Sequence, residues 1–303
     1  MPPRHPLSAI TRASLLYALM CLLSTLATPA AATSEPLRGV ALKRDITREL
    51  QTYGVSAVRP NTVIWAEPGT LTPEELNAFA DLVDAGVIAT RRYLGEALDP
   101  PGDADEAVHF FISHRVGIAT VTVDPLPHVF IHPDSVRSGR APYLHELVHA
   151  LAQWSWRRSE WMAEGFANHA AAEIARRYGG FHATGPEPRG LAALAEHAAS
   201  PEGAEMLPLI GVWGRRGDYT PAQRALFDKV LKQRRRYGGP YYTLAWAYTS
   251  HLIQVLGRDG LMQVARATDP DAEARRLTGR GLDAHRREWL AALRRGHALA
   301  DAR

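Results

Sequence analysis

The stretch of this chain that most constrains its fold is residues 143–151, Tyr-Leu-His-Glu-Leu-Val-His-Ala-Leu. Apolar residues surround His145 and His149, and their spacing predicts a helix that carries both imidazoles on one face, one turn apart. Two imidazoles placed in this way can occupy adjacent corners of a tetrahedral metal site. Glu146 lies about 100° round the helix from His145, so its carboxylate can act on a water molecule there without being a ligand.

A second segment, residues 161–168 (Trp-Met-Ala-Glu-Gly-Phe-Ala-Asn), opens the next predicted helix, and its small residues would let that helix approach the first one closely. A catalytic metal needs a third protein ligand, and a lone carboxylate in this apolar stretch would be costly to bury, so we predict Glu164. Glu160 and His169 are rival third ligands. Asn168 lies one turn after Glu164 and can accept the ring N–H of a ligand histidine, although ordinary polar helix surface is the alternative.

These two motifs resemble those of the gluzincin metallopeptidases, in particular the compact peptidase-MA-like families. Such families carry H-E-x-x-H on one helix and W-x-x-E-G-x-A on the next. The metzincin pattern does not fit, because the chain has Ala152 and Ser155 where glycine and a third histidine would stand. The resemblance implies a Zn²⁺ enzyme with Glu146 as general base and with the metal ligands His145, His149 and Glu164.

A later helix also carries a pattern that resembles these families. Their corresponding helix often opens with Tyr, and it has Ala three residues after this Tyr, Leu ten residues after it and Gly fifteen residues after it. In relatives, a tyrosine from this half of the chain can donate a hydrogen bond to the substrate oxyanion, and the resemblance implies this catalytic role for Tyr242. Tyr241 and Tyr248 compete for the role, and a half-buried aromatic without one is the alternative. The matching positions in this chain are Tyr242, Ala245, Leu252 and Gly257.

The function implied by the resemblance is hydrolysis of peptide bonds in a peptide or protein substrate. Glu146 would take a proton from the attacking water and pass it to the leaving amine. An extended substrate is expected to pair with an edge strand of the sheet. The first candidate for this strand is 128–132, and the second is 118–123. Two other hypotheses stay open, a non-catalytic exported binding protein with structural zinc and a metallohydrolase of non-peptide substrates. Glu146 counts against the first, because a structural site does not need that carboxylate.

The rest of the chain predicts an α+β fold, in which a small N-terminal mixed β-sheet layer with helices precedes a mainly helical half, zincin-like by the resemblance. Thr72-Pro73 with Glu75 predicts a capped helix that runs to about Leu94. Strands are predicted at 62–65, 107–113, 118–123 and 128–132. Helices are predicted after Gly139 at about 142–156, 160–177, 221–236, 241–256, 259–267 and 283–295.

The first 32 residues predict a secretory signal peptide, because a basic start precedes an apolar run and the small-residue site Ala30-Ala31-Ala32. An uncleaved anchor or a buried helix is the alternative. We expect an exported protein, periplasmic or secreted, without stable membrane insertion after cleavage. Its single domain, 33–303, would comprise a sheet subdomain with the active-site helix at 33–156 and a helical subdomain at 157–303.

Charge and cysteine content exclude other classes of protein. The net charge of +3 falls to about +1 when Arg4 and Arg12 leave with the signal, which does not indicate nucleic-acid binding. The basic run 234–236 is interpreted as a solvated helix end, where cations suit the dipole, and a binding patch is the alternative. Cys21 is the only cysteine, so the mature chain has neither a disulfide nor a catalytic thiol. Residues 178–220 are predicted to form a loop or lid near the cleft.

Overall fold

The computed structural model describes residues 34–95, 107–122, 128–152, 159–182 and 191–301. Contacts divide the chain into two units, residues 1–42 and 43–303. The described part of the first unit is the beginning of helix α1, Ser34–Tyr53. The predicted signal peptide and its cleavage site lie outside the described residues.

A five-stranded mixed sheet forms one layer of the second unit. Its strands are β1 (Val55–Val58), β2 (Thr62–Ala66), β3 (Val108–Ile112), β4 (Ala119–Thr122) and β5 (His128–Ile131). Their order across the sheet is β1-β2-β3-β5-β4. The three inner strands run parallel, and the edge strands β1 and β4 are antiparallel to their neighbours. The sheet confirms the α+β prediction; β1, three of whose four residues are exposed, was not predicted.

The strand order corrects one expectation about substrate pairing. Strand β5, the first candidate for an exposed edge, lies between β3 and β4 and has partners on both sides. Strand β4, the second candidate, is at the edge. Because β4 is the last strand of the sheet, it is the one of the two whose outer backbone groups can pair with an extended peptide.

Both faces of the sheet are covered. Alternation along the strands places Ile64, Phe110 and Ile131 in the main core beneath the helices. The opposite face carries Phe111 and Phe130, which form a smaller cluster with two buried residues of α1, Ile46 and Leu50. Within the second unit, the sheet is therefore packed between residues 46–50 of α1 and the helical half.

The helical half follows the sheet, as predicted. The capping box that begins α2 is present, since the Thr72 hydroxyl accepts from the Glu75 N–H at 3.2 Å and the Glu75 carboxylate accepts from the Thr72 N–H at 2.8 Å. Along the described residues, no helix is both long and apolar enough to cross a membrane. The helices are α2 (Pro73–Leu94), α3 (Pro133–Arg137), α4 (Tyr143–Leu151), α5 (Glu160–Tyr178), α6 (Leu191–Ala199), α7 (Pro201–Met206), α8 (Pro221–Lys232), α9 (Arg234–Arg266), α10 (Pro270–Thr278) and α11 (Leu282–Asp301).

The basic run 234–236 lies at the beginning of a helix, whereas the sequence predicted that it ends one. Helix α8 ends at Lys232, and Gln233 leaves helical geometry at φ −122° and ψ 47°. Arg234 therefore begins α9 instead of ending α8. The two segments predicted at 241–256 and 259–267 are parts of α9, which bends at Gly257, where a φ of 74° favours glycine.

The described residues of the segment 178–220 contain more regular structure than predicted. Helices α6 and α7 lie within it, and short 3₁₀ turns follow at Leu207–Leu209 and Arg216–Asp218. Leu194, Ala195 and Ala198 are buried, at the spacing of one helix face. Ser200 caps α7 by accepting from the Gly203 N–H at 3.1 Å. A lid is therefore the wrong description of residues 191–209, whose helices pack into the core.

Candidate metal centre

Helix α4 is held on several sides by packing, which fixes the direction of its polar side chains. Tyr143, Leu144, Leu147 and Val148 are all buried. A Cβ placed on Gly86 of α2 would lie 3.1 Å from the Tyr143 ring, so glycine allows α2 to approach α4 closely. The helix ends at Leu151, short of the predicted residue 156.

Helix α5 is positioned by a cap and by its contacts with α9. The Ser159 hydroxyl accepts from the Met162 N–H at 3.3 Å, and the Trp161 indole N–H donates to the Val212 carbonyl at 2.8 Å. A Cβ on Gly165 would collide with the carbonyl of Ala245 and the hydroxyl of Thr249, both on α9. The glycine of this segment thus serves the approach of α5 to α9, whereas the sequence had suggested an approach to α4.

The two helices bring together His145, His149 and Glu164. The Glu164 Oε2 atom lies 3.2 Å from the Nε2 of His145 and 3.4 Å from the Nε2 of His149, and the two Nε2 atoms are 2.9 Å apart. A tetrahedral ion with bonds of about 2.0–2.1 Å would hold its ligand atoms about 3.3 Å apart. The three atoms are therefore spaced to bind one metal ion, and within the described residues they are the only such group of His, Cys, Asp and Glu.

Asn168 contacts the ring of His145, which is one of the two possibilities that the sequence left open. Its Oδ1 lies 2.9 Å from the Nδ1 of His145. An amide oxygen only accepts hydrogen bonds, so Nδ1 carries the proton and the Nε2 lone pair of His145 points to the centre of the group. This tautomer is the one that a metal ligand requires.

Burial and charge together set the protonation of the three groups. Burial alone would raise the pKa of Glu164, but the charges and hydrogen bonds of the two histidines lower it well below its usual value. Burial alone would lower the pKa of His145, but its hydrogen bond with Glu164 and the Glu164 charge raise it. Burial and the neighbouring His145 lower the pKa of His149 to about 4. Glu164 is thus ionised and His149 neutral, as a metal site needs.

Glu146 is buried beside this group, with 7% of its surface exposed. Burial raises the pKa of its carboxyl to about 7, against the opposing effects of His145, Arg234 and Lys43. It contributes no atom to the cluster of three. A carboxyl group with these properties can exchange a proton near neutral pH.

The rival ligands lie elsewhere. His169 has its Nδ1 2.9 Å from the hydroxyl of Ser250. Glu160 is not part of the cluster, and burial followed by the charge of Glu164 raises its pKa to about 7. The strand residues His109 and His128 stack on each other with ring centroids 5.7 Å apart, on the sheet face that carries Phe111. These two histidines lie outside the cluster and pack on the sheet.

The three competing tyrosines of α9 have different surroundings. Tyr248 is fully buried, and its hydroxyl donates to the Leu282 carbonyl at 3.4 Å. Tyr241 is 1% exposed and packs against Phe227 with ring centroids 5.8 Å apart. Tyr242 is half-buried, and the charge of Glu164, followed by burial, raises its pKa well above the ordinary value. Of the three, Tyr242 therefore combines access with proximity to the cluster, and its hydroxyl stays protonated.

Two cations near the site were not recognised in the sequence as parts of it. Arg234 lies over the Tyr242 ring, with its guanidinium carbon 5.8 Å from the ring centroid. Lys43 of α1 donates to the Thr120 hydroxyl at 2.9 Å. Both charges act on Glu146. Arg234, Gly238 and Tyr242 are spaced at four-residue intervals, so helical periodicity could have predicted that the arginine lies near the tyrosine. The sequence around Lys43 has no comparable pattern.

No family model matches this chain, and no curated protein is similar enough to it to count as a match. The functional conclusion therefore rests on the residues and geometry of the site itself.

Proposed function

We propose that this protein is an exported, zinc-dependent metallopeptidase of gluzincin type. The observation that carries the proposal is the convergence of His145, His149 and Glu164 on one point, with the buried carboxyl of Glu146 beside it. Two imidazole nitrogens and one carboxylate oxygen form a typical donor set of catalytic zinc. Magnesium and calcium prefer oxygen ligands alone, so the two histidines favour zinc.

The number of ligands supports a catalytic site over a structural one. Structural zinc sites are closed by four protein ligands, whereas catalytic sites use three and leave one position for water or substrate. The described residues offer three. Bound zinc supplies a Lewis acid that polarises the scissile carbonyl and lowers the pKa of the attacking water.

The chain's own residues would perform the proton transfers and position the substrate. Glu146 accepts the proton of the attacking water and returns it to the leaving amine, a role suited to a pKa of about 7. The protonated hydroxyl of Tyr242 donates a hydrogen bond to the substrate oxygen on which negative charge develops. Asn168 holds the His145 ring in position. Strand β4 offers backbone groups to an extended peptide.

A second candidate function is hydrolysis of a non-peptide substrate. It would use the same three metal ligands and the same general base, and a substrate screen distinguishes it from peptide hydrolysis.

The proposal is tested by metal analysis of the purified chain, followed by digestion of a broad peptide library with the wild type and with Glu146→Gln. We expect one zinc per chain in both proteins. Glu146→Gln should fold normally and lose about 10²–10⁴ of the cleavage rate, because the amide cannot accept the proton.

Equal rates for the wild type and Glu146→Gln would remove Glu146 from the mechanism. A zinc-loaded wild type that cleaves no peptide would favour the binding-protein or non-peptide hypotheses. The export part of the proposal has its own measurement, intact mass of the protein recovered outside the cytoplasm. We expect the mature chain to begin at Thr33, and an intact Met1 in that fraction would contradict export by signal cleavage.

A further inference from the structure

The cations around the start of α9 are not equivalent. Lys229 pairs with Glu205, Lys232 lies 3.9 Å from Asp228, and Arg236 lies 2.9 Å from Glu202. The first and third pairs link α8 and α9 to α7, and the second lies within α8. Arg234 is exposed and makes no ion pair with any residue that the structure describes. Its charge is therefore available to a carboxylate that the chain does not itself provide.

Arg234 is directed along α9 towards the metal centre. Its guanidinium lies over the ring of Tyr242, two turns further along the helix. Gly238 stands between them, and a Cβ there would lie 3.1 Å from the Arg234 Cγ and 3.6 Å from the Tyr242 ring. The glycine thus lets the arginine side chain lie flat against the helix. Stacking on an aromatic face restricts a guanidinium and leaves its N–H edge free to donate.

The position of Tyr242 places this guanidinium at the rim of the metal centre. Tyr242 is half-buried and lies about one turn before Ala245. The carbonyl of Ala245 packs against Gly165, the residue that follows Glu164. The charge of Glu164 also acts on the Tyr242 hydroxyl. The other cation of the rim, Lys43, is half-buried and already donates to Thr120. Of the two cations, Arg234 is therefore the exposed one, and its planar fork of donors matches a carboxylate in two parallel hydrogen bonds.

We propose that Arg234 is a substrate anchor, which binds a carboxylate of the substrate close to the bond that is cleaved. The inference rests on the proposed peptidase function and adds a substrate class to it, peptides that carry a carboxylate beside the scissile bond. That carboxylate has two sources in a peptide, the free C-terminus and the side chain of Asp or Glu. Arg234 is a specificity residue, separate from the proton transfers of Glu146.

The test measures equilibrium binding in the full mature chain carrying Glu146→Gln, so that peptides are bound without being cleaved. The probes are the acetylated tetrapeptide Ala-Ala-Phe-Ala as free acid and as C-terminal amide, together with the amides of Ala-Ala-Phe-Glu and Ala-Ala-Phe-Gln. Each probe is titrated to millimolar concentration against zinc-loaded and metal-free protein. The comparison is repeated with Arg234→Gln, with Arg234→Lys and with Arg235→Gln as a matched control on the same helix turn.

We expect at least one carboxylate peptide to bind about tenfold more tightly than its neutral partner. The preference should persist in metal-free protein and in Arg235→Gln, disappear in Arg234→Gln and shrink in Arg234→Lys, which keeps the charge but loses the fork. The acid–amide pair reports the C-terminus as the source, and the Glu–Gln pair reports the side chain. Raising the salt concentration should weaken the preference.

Several outcomes would overturn the anchor. A preference that survives Arg234→Gln would come from other groups, including the metal. Equal weakening of charged and neutral peptides would mean that Arg234 acts through the fold, since Glu146 is absent from these proteins. Absence of any preference, or of binding at millimolar peptide, also rejects it. Cleavage of the same peptides by the wild type is scored separately: cleavage without preference rejects only the anchor, and preference without cleavage rejects only the peptidase.

Discussion

The candidate metal centre is built from two regions that differ in burial. Helices α4 and α5 form its floor, where His149 is 2% exposed and Glu146 7% exposed. The first turns of α9 form its rim, where Tyr242 is half-buried and Arg234 exposed. Charges in the floor interact in a low dielectric and must be paired, whereas those at the rim remain partly hydrated. Apart from Glu146, whose proposed role is proton transfer, substitutions in the floor should therefore alter metal binding and stability. Substitutions at the rim should alter turnover and selectivity.

The largest effect is expected for a ligand of the floor. His149→Ala should remove most of the zinc from the purified protein, because only two ligands remain and the Glu164 carboxylate loses a partner. Metal content by mass spectrometry measures this directly. His169→Ala on α5 is the matched control, since that histidine contacts Ser250 and lies outside the cluster. Full zinc retention in His149→Ala would rule out the proposed ligand set.

The next effect concerns the junction between floor and rim. Gly165→Ala should lower the free energy of unfolding by about 3 kcal/mol, because its methyl group meets backbone of α9 that cannot move independently. Chemical denaturation measures the change. Gly217→Ala is the control, since a Cβ there meets no atom within 4 Å and should change stability by no more than about 0.5 kcal/mol. A stable Gly165→Ala protein would show that α5 and α9 are not in close contact.

Asn168→Ala should weaken zinc binding by about 10- to 100-fold while the fold is retained. The His145 ring would lose the acceptor that fixes its tautomer, although the three ligand atoms would remain. Competition with a chelator measures the affinity. Asn168→Asp keeps an acceptor at this position and should bind zinc nearly as well as the wild type. An unchanged affinity in Asn168→Ala would assign the residue to packing alone.

The smallest of these effects is expected at the rim. Tyr242→Phe should keep full zinc content and lose about tenfold in turnover. This loss is smaller than that of Glu146→Gln, because a bound metal would still polarise the substrate carbonyl. Tyr241→Phe is the control, since the hydroxyl of Tyr241 makes no hydrogen bond to the described residues. The rates are measured on a peptide that the library identifies. A loss of zinc in Tyr242→Phe would place this tyrosine in the floor and remove the distinction between the two regions.

The same two regions differ in how far they were predictable. In the floor, His145, Glu146 and His149 lie within one helix, and Glu164 and Asn168 within the next, so a period of 3.6 residues per turn fixes which side chains share a face. Capping at Thr72 is equally local, because it depends on four consecutive positions. Helix α6 was not predicted, because the surrounding segment is rich in glycine, proline and arginine and this composition indicated a loop.

Local patterns in the chain were therefore enough to predict the α+β class, the helices that carry His145, His149 and Glu164, and the face that these residues share. The edge position of β4, the contact of Gly165 with α9 and the stacking of Arg234 on Tyr242 emerged only from the folded chain. The two groups of features differ in the range of the interactions that create them. Periodicity and capping act over a few residues, whereas strand order and the crossing of α5 with α9 depend on how distant segments bury their apolar surface together.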